Sequence, residues 1–102
     1  MEIIKKISER IEEEIEDAET YAKMALHYKE EDPELAQTFI TISGEEMKHM
    51  EMLHRQVTRL ISTYRKEHGE PPAAMAAVYD FVHKREIEQA NHVHLLHQQY
   101  RQ

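Results

Sequence analysis

Glu46 and His49 stand one helical turn apart in Glu46-Met47-Lys48-His49, and Glu14 lies on the preceding predicted helix. Two carboxylates and an imidazole are the donors that hold hard or borderline divalent cations. With Leu35 at zero on a helical wheel, Ile42 and Leu53 fall within about 20°, Glu46 at about +20° and His49 at about −40°. The polar pair therefore shares the apolar line that the pattern predicts to be buried. A carboxylate taken out of water without a partner is costly or stays protonated, and a bound cation is one way to compensate it. A hydrogen-bonded Glu–His pair, or cover by basic groups of a partner chain, is the plain alternative.

Glu14 lies about 60° from the centre of the first helix's apolar stripe, between Ile11 and Ala18, where a purely structural helix prefers an apolar residue. Tyr21, two turns on, faces the same side and would donate its phenol to a carboxylate or a metal-bound water, although a bundle-edge tyrosine with its hydroxyl in water is the reading its type favours. Glu16 and Glu19 point more than about 80° off the stripe, so they rank below Glu14, Glu19 being the main rival. On the third predicted helix Glu88 and His92, one turn apart, form a weaker candidate pair, since such pairs are common surface contacts. His92, His94 and His97 cannot all aim at one ion: with Val78 at zero they fall near about −40°, 160° and 100°.

Three helices must carry these groups. The first is predicted over about residues 2–30, because Ile4, Ile7, Ile11, Ile15, Ala18, Ala22 and Ala25 recur at three- and four-residue steps. Asp32 as N-cap and Pro33 in the first turn predict a second helix over 33–68, ending before Gly69 and Pro71-Pro72. Its predicted stripe is Leu35, Phe39, Ile42, Leu53, Val57, Leu60 and Tyr64. The short connection predicts an antiparallel hairpin in which Glu14 comes level with His49 and Glu46. The third helix is predicted over 73–101, with Val78, Val82, Gln89, Val93, Leu96 and Tyr100 near one line. Gly44 interrupts the second helix, as a tolerated break or as a place where a neighbour comes close.

The expected fold is thus all-α, one domain over 1–102. Three such helices do not close a four-helix bundle, so a homo-oligomer that completes it is expected. Among 102 residues there is no cysteine, which excludes a disulfide framework and thiolate metal sites and fits a reducing cytosol. A net charge of −7 argues against a nucleic-acid footprint and for cationic ligands. MEIIKK lacks a signal-like apolar run and no stretch approaches a membrane span, so a soluble, cytoplasmic protein is expected. No nucleophile–base pair or phosphate-cradling glycine loop is present.

The run IEEEIEDAETYAKMALHYK followed by ISGEEMKHMEMLHRQV resembles half of the di-iron carboxylate site of the ferritin-like superfamily, and is most similar to rubrerythrin-type and small encapsulated-ferritin-type members. The resemblance covers about residues 3 to 60. It implies an iron pair per site, with Mn or Zn as substitutes, and oxidation of Fe(II) by dioxygen or peroxide. Glu46 would be a bridging or bidentate carboxylate, Glu14 a terminal carboxylate and His49 a terminal nitrogen ligand. Complete members carry a second Glu-x-x-His. The third helix here has none, so either a symmetric dimer supplies the second half or Glu88 and His92 do. The resemblance also admits an encapsulating shell as a partner, which the residues themselves do not derive. The cysteine module of full rubrerythrins is missing, so an internal electron relay is not carried over. The rival expectation is a metal-free helical oligomerisation or adaptor protein that keeps such a fold without its chemistry.

Overall fold

A computed structural model describes all 102 residues as three α-helices with no strand: α1, Glu2–Tyr28; α2, Pro33–His68; and α3, Ala73–Arg101. The boundaries follow local chemistry. Asp32 caps α2 by accepting from the Leu35 amide at 3.2 Å, and Pro33 occupies the first turn, where its missing N–H costs nothing. At the other end Gly69 takes φ 78°, a region where a side chain is strained, and its N–H closes on the Arg65 carbonyl at 2.9 Å. The first helix stops two residues before the predicted end, at Tyr28, and Lys29 to Glu31 turn the chain.

Contacts between helices fix their directions. Ala18 meets Ser43 and Glu14 meets His49, so α1 and α2 run antiparallel. Glu12 pairs with Arg85 and Glu19 with His92, so α3 runs parallel to α1; His54 meets His83 and Ser43 meets His97, so α2 and α3 run antiparallel. The molecule is a rod of 55 × 18 × 18 Å, about the ~54 Å that 36 residues of α2 span at ~1.5 Å each.

Packing corrects the predicted stripe of α2. Its buried residues are Ala36, Ser43 and Met47, whereas Leu35 is exposed and Ile42, Leu53 and Leu60 are only half-buried. The buried line is turned by about 100° from the Leu35 line. The cause is size: Ala36 and Ser43 oppose an α1 face rich in Ala18, Ala22 and Ala25, all fully buried, which lets the two helices approach closely and leaves the larger side chains to splay along one edge. A similar offset occurs in α3, where Val78 is exposed and the buried line is Glu86, Val93, Leu96 and His97. The core itself is Ile11, Ile15, Ala18, Met47 and Val93, flanked by Ile7, Met50, Leu53, Val57 and Ala90. Only 13 of 102 residues are buried, so most apolar flanks of this three-helix unit lack a cover. No helix is long and apolar enough to cross a membrane.

Candidate metal centre

The stripe Ile11–Ile15–Ala18 that docks α1 on α2 leaves Glu14 on one shoulder, and the Ala36–Ser43–Met47 line leaves Glu46 and His49 on the facing shoulder of α2. The shoulders converge. One ligand atom from each of Glu14, Glu46 and His49 lies within 4.8 Å of the others, and no other group of three or more His, Asp or Glu is gathered so closely. His49 Nδ1 is 3.4 Å from Glu14 Oε2 and 4.0 Å from Glu46 Oε2. No lysine or arginine pairs with either acid. The three predicted residues therefore come together, but at the rim of the α1–α2 groove rather than inside it. The side chains of Glu14 and Glu46 are 25% and 21% exposed, and His49 is 55% exposed.

Two carboxylates at this range cannot both ionise freely. Glu46 is pushed up to about 7, first by sharing a hydrogen bond with Glu14, then by burial and by the Glu14 charge, with His49 pulling the other way. The donor set fits a divalent cation for the same reason: a cation placed between the acids does the work of the shared proton and satisfies both. Oxygen and nitrogen donors of one ion lie at most ~4 Å apart at bond lengths of ~2.1 Å, so modest side-chain rotation closes the remaining gap.

The other candidates are placed elsewhere. Glu19 sits on the opposite shoulder of α1, about 140° from Glu14 on the wheel, and bonds Lys23 at 2.9 Å and His92 at 3.3 Å. These partners hold its carboxyl below the usual range, Lys23 contributing most. Glu16 and Glu88 are exposed and belong to no cluster. Tyr21 is half-buried, its ring 6.0 Å from that of Phe39, and no hydrogen bond joins its hydroxyl to the acids. The two shoulders of α1 thus divide the labour: Glu12 and Glu19 fasten α3, while Glu14 faces the side that no helix covers.

Three features escaped the sequence pattern. His97 is buried, with Nε2 2.7 Å from Ser43 Oγ, and Glu86 is buried with its Oε1 unpartnered. His54 and His83 meet across α2 and α3, Nε2 to Nδ1 at 3.2 Å. A wheel for α3 centred on Val93 instead of Val78 would have put Glu86 and His97 within about 40° of the core line. The His54–His83 meeting carried no such signal, because it depends on the register of two helices. No protein-family model, curated protein or solved structure matches this chain.

Proposed function

We propose that this chain is a metal-binding half-site protein: Glu14, Glu46 and His49 hold one iron per chain, and two chains associate through the uncovered α1–α2 edge to make a di-iron carboxylate centre. The single observation that carries the reading is the convergence of two acids and one imidazole, with no basic partner, on the one side of the α1–α2 pair left without a helix. The resemblance of residues 3 to 60 to ferritin-like half-sites points the same way. So does the apolar edge beside the site, where Leu35 is 36% exposed and Phe39, Ile42, Leu53 and Leu60 are half-buried. A second copy laid antiparallel along that edge would bury it, bring His49 out of water and set two ligand trios face to face.

Carboxylate-rich donors favour Fe(II) and stabilise Fe(III), and Mn(II) or Zn(II) would compete for the same atoms. Iron bound there supplies one-electron redox chemistry toward dioxygen or peroxide, which makes a ferroxidase the enzyme reading. The chain's own part is to hold the acids close enough to share one positive charge, to present His49 as a nitrogen donor and to exclude water through the Leu35 edge. Tyr21, two turns from Glu14 along the same shoulder, orders that edge through its ring contact with Phe39.

A metal-free helical oligomerisation protein is the second reading, favoured by the way Glu14, Glu46 and His49 already satisfy one another through a shared proton and the 3.4 Å contact. The two separate in one experiment. Metal-stripped protein is titrated with Fe(II) under anaerobic conditions while melting temperature and mass in solution are followed. The metal reading expects about one Fe(II) per chain and a stabilisation that grows with free metal, about 2.7 kcal/mol at 100 times Kd, lost in Glu46→Ala and His49→Ala. An unmoved melting temperature with an intact oligomer leaves the second reading standing alone.

A further inference from the structure

The space between α2 and α3 is the second place where the fold gathers chemistry. Those helices hardly touch, and the groove between them, floored by α1, has a volume of about 920 Å³; a smaller cavity of about 380 Å³ adjoins it. Only three residues line both: His54 from α2, and His83 and Glu86 from α3. The two imidazoles approach with Nε2 of His54 3.2 Å from Nδ1 of His83. That is close to the ~3.3 Å separating two nitrogens bound to one tetrahedral ion at ~2.0–2.1 Å. Glu86 follows His83 by one turn, which places the two side chains on neighbouring positions of one helix face. It is only 6% exposed, and its Oε1 has no hydrogen-bond partner.

A buried carboxylate oxygen without a donor is uncommon, because the group loses its hydration for nothing in return. Arg85, its chain neighbour on α3, gives its hydrogen bond to Glu12. Glu12 itself lines the larger groove and adds negative charge beside Glu86. Two imidazole nitrogens in contact, and one unpartnered buried carboxylate that stands farther than 4.8 Å from completing a trio with them, line the divide between two cavities.

We propose that His54, His83 and Glu86 form a second metal site, distinct from the oxygen-rich trio and selective for a borderline, imidazole-preferring divalent ion of the zinc class. Two imidazoles and one carboxylate are the ligand set of open zinc sites, in which the fourth position is left to water or a ligand, here on the groove side. To close the set Glu86 must swing toward the imidazoles and the imidazoles must turn from each other toward the ion; His83 is exposed and His54 half-buried, which leaves the rings room to do so. The site stands on α2 and α3 within one chain, whereas the iron reading concerns the opposite edge of α1–α2, so neither depends on the other.

The test uses full-length Glu46→Ala/His49→Ala protein, stripped of metal and titrated with Co(II), whose visible bands report tetrahedral nitrogen ligation, followed by displacement with Zn(II). About one Co(II) per chain is expected, with His83→Asn weakening binding by at least the ~100-fold that even supporting residues cost, and Glu86→Gln removing the tetrahedral bands. His83 is exposed, so its replacement leaves the fold intact. Failure of the double variant to bind Co(II), or equal binding after His83→Asn, overturns the proposal. Loss of Fe(II) binding in that double variant with Co(II) binding retained separates the two sites.

Discussion

The Nε2 nitrogen of His97 lies 2.7 Å from the Ser43 hydroxyl, and that hydroxyl is 2.6 Å from the Ala18 carbonyl oxygen, so one chain of hydrogen bonds ties all three helices together in the interior. A serine has one proton to give. Since it goes to Ala18, His97 must carry its proton on Nε2 and donate to Ser43. Replacing Ser43 by alanine leaves the buried His97 Nε2–H without an acceptor, and is expected to cost about 1–3 kcal/mol in urea unfolding.

The same pair sets a pH dependence. Burial, then His94 and Arg101, lower the affinity of His97 for a second proton. The unfolded chain therefore binds more protons than the native one between the lowered value and the ordinary 6.5. Stability from this residue falls as the pH drops below 6.5, and His97→Gln should flatten that limb in a series of melts.

Glu86 acts with the opposite sign. Burial first and Glu12 second push it up to about 7 from 4.5, with Arg85 opposing. A raised carboxyl value favours the native state in acid, and the contribution is lost as the pH rises through about 7. In metal-free protein Glu86→Gln should therefore gain on the wild type between pH 5 and 8.5, by on the order of 2–3 kcal/mol at full ionisation.

Metal uptake by the Glu14–Glu46–His49 trio should follow the proton it displaces. With Glu46 pushed up to about 7, affinity for Mn(II) or anaerobic Fe(II) is expected to climb about tenfold per pH unit below that value and to level above it. Calorimetric titrations from pH 5.5 to 8 read this directly, and Glu46→Gln should remove the share of the slope that Glu46 contributes.

Association should depend on the open edge and not on Gly44. Leu35 is exposed at that edge, so Leu35→Glu should spare the helices while reducing the light-scattering mass toward one chain. An added methyl at Gly44 meets no atom within 4 Å, which makes this glycine a tolerated break in α2 rather than a close-approach point. Gly44→Ala should stabilise the protein by up to about 1 kcal/mol, with the mass in solution unchanged.

Helix count and punctuation were legible in the residues alone, because they are local: Asp32-Pro33 starts a helix and Gly69 stops one wherever the rest of the chain lies. The pairing of Glu14 with Glu46 and His49 was also legible, since a short turn fixes which residues of two antiparallel helices come level. Which side of α2 faces inward was not. Hydropathy favoured the Leu35–Ile42–Leu53 line, but close packing on the alanines of α1 selected the smaller Ala36–Ser43 line, and that turn of about 100° moved the trio from the interior to the rim. The meeting of His54 with His83, the burial of Glu86 and the Ser43–His97 bond depend on the register of α3 against two other helices. Register is a property of the whole packed assembly, so only the tertiary structure could decide them.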